Sequence, residues 1–427
     1  MDPINHPSQV AMPNWTIMVY LAGDNNLERF AFKDLGEMKC AGSTSRMAIV
    51  AQLDGLSNQS TRRYFLQKDT DLSQDCVARL PEVNTGDPAA LADFIEWATN
   101  TFPARHYGLI LWNHGAGWKD DDVYQAARKA GQSDKGVDRI IARAGISRSR
   151  RALFRPTMEK VVDGHLRAVL FDDTSADFLD NIELKKVMQQ AVKRLGRPID
   201  LLGFDACLMS MLEVQYQVRS QCHLMVASQE IEPADGWPYG HILIKLACDP
   251  DMNVSDLGRL IVKEYIDSYR LKPSFTEVTL SAVYGERLEP LAVAVSRLAD
   301  VLRDGLVRPE NWSIPVDELI SSVQRQAIHF RDQDYFDLAD ICRQLYNLVP
   351  TGLAGQAAES VLTLLKESNS PVAAAGTLGA KMESACGISI YLPSRALSPL
   401  YQNLDFGREQ TWGYFLQYLI PTAKAGL

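Results

Sequence analysis

The sequence has no CxxC pair: its seven cysteines, Cys40, Cys76, Cys207, Cys222, Cys248, Cys342 and Cys386, are odd in number and scattered. That distribution excludes a disulfide framework and a zinc cage, and predicts reduced thiols. No HExxH and no paired metal spacing occurs among the histidines, which disfavours a metallopeptidase and any metal in the chemistry. No apolar run approaches the roughly 18 residues needed to cross a bilayer, so no membrane association is expected. The N-terminus carries Asp2, Pro3 and Pro13. It lacks the basic head and apolar core of a secretory signal, so a cytoplasmic protein is expected. Positive charge is also short: 44 Lys and Arg face 53 Asp and Glu, a net charge of −9. Nucleic acid is not an expected partner, because phosphate binding leaves a basic footprint. No internal repeat with a period of roughly 20 to 50 residues is visible.

What is present reads as an ordinary globular chain, 46% hydrophobic and 23% charged. At 427 residues it exceeds the size of most single cores, so an appendage or second domain is expected. Short apolar runs at 15–23, 47–53, 107–112, 199–204 and 223–228 read as strands. Helical patterns at 27–38, 88–99 and 208–218 alternate with them. Such alternation predicts an α/β domain over residues 14–250, a mostly parallel sheet with helices on both faces, after a tail at 1–13. From 251 to 427 helices dominate (254–269, 288–302, 335–346, 353–365), with strands at 279–284 and 387–392. This part reads as a smaller C-terminal α+β domain. Residues 119–179 form an exposed Arg-rich insertion.

In an open parallel sheet, ligands bind beyond the carboxyl ends of the strands. Two strand ends carry reactive side chains: 107–112 runs into Asn113-His114-Gly115, and 199–204 into Asp205-Ala206-Cys207. If the strands are neighbours, the His114 imidazole can take the Cys207 proton. A helix from Leu208 would favour the thiolate through its N-terminal partial charge. The N–H of Gly115 is a candidate oxyanion donor. A cysteine before an apolar helix is also commonly just a buried small hydrophobe, and the residues alone leave both readings open.

The blocks WTIMVYLAGDNNLE, LILWNHGAGW, FDACLMSMLEV, ASQEIEPADGWPY and GISIYLP resemble those of clostripain-family cysteine peptidases over most of the chain. The resemblance implies a caspase-like fold, a Cys-His dyad of Cys207 and His114, and cleavage of peptide or protein substrates after a basic residue. An acid must then face the P1 side chain, since a guanidinium entering a partly dry pocket needs a partner. Asp205 and Asp235 are the candidates, the first also being a candidate helix cap and the second a turn residue. Asp24 and Asn25 are read as shaping the same cleft. The resemblance also implies self-processing between the two catalytic halves. There the cluster from Arg139 onward offers Arg143, Arg148, Arg150, Arg151 and Arg155 in an exposed loop.

Asp120, Asp121, Asp122, Asp172, Asp173, Asp177 and Asp180 read as a solvated acidic loop, although their oxygens suit a structural Ca²⁺, on which relatives can depend. No cofactor is required for the chemistry. Two other readings compete: a catalytically silent module that binds a peptide or partner in the same cleft, and a regulatory intracellular protease of a stress or defence pathway.

Overall fold

The computed structural model describes residues 12–56, 60–113, 115, 179–272 and 277–420. Among these, nine strands form one sheet. In chain order they are β1 (Trp15–Gly23), β2 (Met47–Gly55), β3 (Ser60–Phe65), β4 (Cys76–Leu80), β5 (His106–Trp112), β6 (Ile199–Asp205), β7 (Cys222–Ala227), β8 (Val278–Tyr284) and β10 (Val372–Leu378). Their spatial order is β10-β8-β7-β6-β5-β1-β2-β3-β4. The five central strands, from β7 to β2, run parallel. Antiparallel pairs extend the sheet at both edges. A separate two-stranded ribbon joins β9 (Tyr335–Asp337) to β11 (Ser389–Tyr391).

Both faces are covered, which explains why the central strands read as unbroken apolar runs. Along β1, Met18 and Tyr20 enter one core, while Trp15, Ile17, Val19 and Leu21 enter the other, the period-two alternation of a strand. The second core is closed by α1 (Glu28–Ala41), with α2 (Leu72–Asp75) at the sheet edge. The first is closed by α3 (Pro88–Thr101), α4 (Asn181–Leu195) and α5 (Leu212–Val218). Then α6 (Tyr239–Cys248) and α7 (Val254–Arg270) return to the side of α1. The remaining helices, α8 (Leu288–Val307), α9 (Val316–Gln326), α10 (Leu338–Leu348), α11 (Leu353–Lys366), α12 (Asp405–Glu409) and α13 (Trp412–Leu419), build outward on the first core. None of the described helices is long and apolar enough to cross a membrane.

Three expectations are corrected. The helix expected from Leu208 begins only at Leu212; Leu208 is a turn residue and 209–211 run extended, Ser210 N–H donating to Ser228 O (2.8 Å) and Ser389 N–H to Ser210 O (2.9 Å). An apolar run of this length fits a buried extended segment as well as a helix, and tertiary hydrogen bonds decide between them. The C-terminal α+β unit expected at 251–427 is not set apart, because β8 pairs antiparallel with β7, and β10 with β8, so the main sheet runs straight across residue 250. The helix expected over 335–346 is preceded by β9 and starts at Leu338, where Asp337 accepts from Asp340 N–H as its cap.

Candidate active site

β5 and β6 are adjacent parallel strands, paired from Gly108↔Leu201 to Trp112↔Asp205, so the two loops carrying His114 and Cys207 leave the same end of the sheet side by side. His114 itself lies outside the described residues. Its neighbours do not. Asn113 N–H donates to Asp205 O (3.3 Å), and its side-chain amide donates to Ala22 O at the end of β1 (3.0 Å). Gly115 lies directly on the Cys207 loop: a Cβ there would fall 2.1 Å from Cys207 O and 2.8 Å from Cys207 N. Only glycine permits that approach.

Cys207 occupies the turn after β6, with its thiol partly buried. The N–H of Glu232, in the loop after β7, donates to its Sγ at 3.2 Å. An N–H aimed at sulfur favours the thiolate form. Leu208 follows at φ 62°, a left-handed conformation uncommon for a branched side chain, held by its N–H donating to Glu230 O (3.1 Å). Strain of this kind persists where the surroundings over-determine it, often at reactive turns. No helix N-terminus lies at Cys207, so the expected dipole contribution is absent; the sulfur instead meets the Glu232 backbone, accepting from its N–H and, as a thiol, donating to its O (3.7 Å).

Behind the thiol lies a compartment of buried acids. Asp205 is 5% exposed. Its carboxylate accepts from Tyr239 OH (2.8 Å) and Trp237 N–H (3.3 Å). Gly236, at φ 60°, rests on that carboxylate, where a Cβ would stand 3.0 Å from Oδ2. Burial pushes Asp205 up to about 6 against these hydrogen bonds. Asp34 of α1, fully buried, accepts from the Trp112 indole (2.8 Å), while its other oxygen meets no donor. Burial, then the charge of Asp205, raises it to about 9. Glu232 exposes part of its stem, but both its carboxyl oxygens are buried and neither accepts from a donor in hydrogen-bond geometry. They face Asp205, and burial followed by that neighbour holds Glu232 well above the carboxylate range.

Asp235 is differently placed: partly exposed, it is clasped by Lys33 (3.2 Å) and Lys272 (2.6 Å), and those hydrogen bonds, Lys272 first, hold its carboxyl below the usual range. Asn25 accepts from Leu27 N–H (2.9 Å) within its own turn. Asp24 sits with Asp54 and Glu82, one carboxylate oxygen from each lying within 4.8 Å of the others. Asp180 caps α4, accepting from Glu183 N–H (2.7 Å). Asp120, Asp121, Asp122, Asp172, Asp173 and Asp177 lie outside the described residues, as do Arg143, Arg148, Arg150, Arg151 and Arg155.

Beside Cys207 a cleft of about 750 Å³ opens between the segment Glu230, Ile231, Glu232 and the loop bearing His329, Phe330 and Arg331. Sequence reasoning passed over Glu232 and Asp34. Asp34 had a signal: it lies on the buried stripe of α1 between Ala31, Leu35 and Met38, where an acid is out of place. Glu232 had none, since its position depends on a loop that folds back over Cys207 from 25 residues away.

Comparison with known proteins bears on this arrangement. The sequence model of the clostripain family matches residues 19–147 and 158–418. Clostripain of Hathewaya histolytica is 24% identical over 389 residues; the match takes in 77% of this chain and 65% of that protein, so the chain spans just under two thirds of its length. Two solved structures are similar over nearly their whole length. One is a secreted C11 cysteine protease from Bacteroides thetaiotaomicron in complex with an irreversible peptide inhibitor (TM-score 0.63, 19% identity, 95% of this chain and 99% of that one). The other is an inactive zymogen C11 protease from Parabacteroides distasonis (TM-score 0.61, 18% identity, 93% and 98%). At these identities the likeness is one of fold.

Proposed function

The chain belongs to the clostripain family of cysteine peptidases, and from that premise we propose that it is an endopeptidase in which Cys207 attacks the scissile carbonyl after losing its proton to His114. The observation that carries this reading is the contact of Gly115 with the Cys207 backbone, which brings the loop containing His114 onto the nucleophile. His114 then returns the proton to the leaving amine, and water hydrolyses the acyl-enzyme. The Gly115 N–H, which makes no hydrogen bond among the described residues, serves the oxyanion.

The substrate is cut after Arg or Lys, whose charge is met by Asp205. This rests on the buried acids behind Cys207, since a carboxylate taken out of water is stabilised by a cation. Asp235, already met by two lysines, has the smaller part. Self-processing falls among Arg143, Arg148, Arg150, Arg151 and Arg155. In support, the family match breaks between residues 147 and 158, within this cluster. The proposed chemistry calls on no cofactor.

Fluorogenic peptides ending in Arg, Lys, Asn or Asp, given to wild-type and Cys207→Ala protein, test the assignment. Loss of the nucleophile is expected to cost several orders of magnitude in rate. Mass spectrometry of the same two samples should show fragments ending at one of these arginines in the wild type alone. A Cys207→Ala protein with near-normal turnover removes the nucleophile, and a preference for Asn or Asp removes the basic pocket.

A further inference from the structure

The compartment behind Cys207 holds more acid than recognition of one basic side chain requires. Asp205, Asp34 and Glu232 share a space walled by Trp112, Trp237, Tyr239, Tyr265 and Tyr269, all fully or almost fully buried. The charged and titratable groups turned toward it are Glu37 and Lys33 on α1, Cys207 and Asp205 at the end of β6, Asp235 in the loop before α6, Tyr239 on α6, and Tyr265 and Tyr269 on α7. The nearest cations, Lys33 and Lys272, are engaged by Asp235. Among the described residues none of the three acids forms an ion pair.

Donors and acceptors are not matched in hydrogen-bond geometry: Asp34 Oδ1 and both Glu232 oxygens lack a donor, while Trp237 Nε1 and Tyr265 OH lack an acceptor. Trp112 serves Asp34, and Tyr239 with the Trp237 N–H serves Asp205. Glu232 is served by no donor in hydrogen-bond geometry, and it turns its carboxyl to Asp205. Two carboxyl groups face to face repel when both are ionised and attract when one carries a proton. Burial of both groups therefore favours a single proton shared between them.

We propose that this proton is the exchange partner of the substrate: when the guanidinium or ammonium of the P1 residue enters, Glu232 ionises, its proton leaves to solvent, and the cation takes the proton's place between Glu232 and Asp205. The inference rests on the reading that Asp205 receives a basic P1 side chain. Charge balances, because one proton departs for each cation that enters, and the compartment keeps the same net charge. Glu232 is thereby a specificity-determining residue. Its backbone N–H lies on Cys207 Sγ (3.2 Å), so the residue that reads the side chain also touches the nucleophile. Two carboxylates side by side suit a planar fork of donors better than a point charge, so Arg is favoured over Lys. Asp34 is the second acid behind the pair and is expected to stay protonated throughout.

Agmatine, a guanidinium with no bond to cut, tests the exchange on the full-length wild-type enzyme. Calorimetric titration near pH 6.5 in two buffers of different ionisation heat counts the protons released. About one proton per agmatine is expected from wild type and close to none from Glu232→Gln. Agmatine affinity should fall up to about tenfold per unit as pH drops through the range in which the Asp205–Glu232 pair titrates, and stay flat in Glu232→Gln. Circular dichroism spectra and a cooperative thermal melt matching those of wild type show that the variant is folded. Agmatine binding to wild type without proton release overturns the exchange while leaving the basic pocket standing, as does equal release from Glu232→Gln. Failure of agmatine to bind wild type at all removes the basic pocket and the exchange together. The wild-type proton count needs no variant, so it decides even if Glu232→Gln does not fold.

Discussion

Asp75 and Asp405 are as deeply buried as Asp34 and Asp205, yet the two pairs live in opposite surroundings. Asp75, at the end of α2, is met by Lys39, Thr70 Oγ1 (2.6 Å) and Gln67 N–H (3.3 Å). Asp405, opening α12, is met by Lys185 and Arg408. At Asp75 and Asp405, where an acid ties elements together, the fold supplies a cation alongside. Behind Cys207 it supplies tyrosine, tryptophan and further acid, and among the described residues no cation forms an ion pair with Asp34, Asp205 or Glu232. Buried charge without a partner is costly, so a site that keeps it is either protonated or waiting for a ligand. On the proposed reading of Asp205, the difference separates buried acids of architecture from buried acids of recognition.

The comparison breaks most sharply at Asp205. Asp205→Asn should raise the barrier for Arg substrates by about 3 kcal/mol, on the order of a hundredfold in kcat/KM, because a desolvated guanidinium loses its partner. Thermal stability should hold, since a buried acid has been removed. Asp75→Asn should do the reverse, leaving kcat/KM untouched and costing about 3 kcal/mol of stability in a denaturant titration by stranding Lys39. If both variants lose activity alike, the division between the two kinds of acid fails.

Glu213 sharpens the division, because it is an architectural acid without a cation. It is fully buried on α5 and accepts from Tyr391 N–H (3.0 Å) and Tyr401 OH (2.8 Å). Burial pushes it up to about 7 from 4.5. The folded state thus binds this proton more tightly than the unfolded chain. Its contribution is fully present below about pH 4.5 and is lost as pH rises through about 7, by at most about 3 kcal/mol. Melting temperatures between pH 5 and 8 should decline less steeply in Glu213→Gln than in wild type; parallel curves would show that Glu213 does not carry the proton. The smallest effect is expected at Asp235. Because Lys33 and Lys272 already balance it, Asp235→Asn should change kcat/KM for Arg substrates no more than a few-fold. A loss matching that of Asp205→Asn would move P1 recognition to the exposed acid.

Much of this was legible before any coordinates. The central strands declared themselves as apolar runs, and the loops at their ends carried His114 and Cys207. What could not be read depends on distant contacts. Residues 208–211 look helical until Ser228 and Ser389 draw them out. Strands β8 and β10 look like parts of another domain until β7 offers an edge, since hydrophobic period identifies a strand but not its neighbour. Strand β3, STRRYF, shows no alternation, because Arg63 is buried against Trp97 with its guanidinium bonded to Gln52 Oε1 (2.8 Å). Glu232 reaches Cys207 only through the folded loop.

The pairing of β5 with β6 has a topological consequence. These strands sit at the centre of the sheet, yet a long stretch of chain that includes α4 separates Trp112 from Ile199. Five residue pairs, from Gly108↔Leu201 to Trp112↔Asp205, join the two strands directly. A backbone break in the chain between the two strands would sever none of those pairs. It would convert one polypeptide into an obligate pair, with His114 inherited by one member and Cys207 by the other, so that under the proposed dyad neither half alone could be inhibited, titrated or refolded as an enzyme.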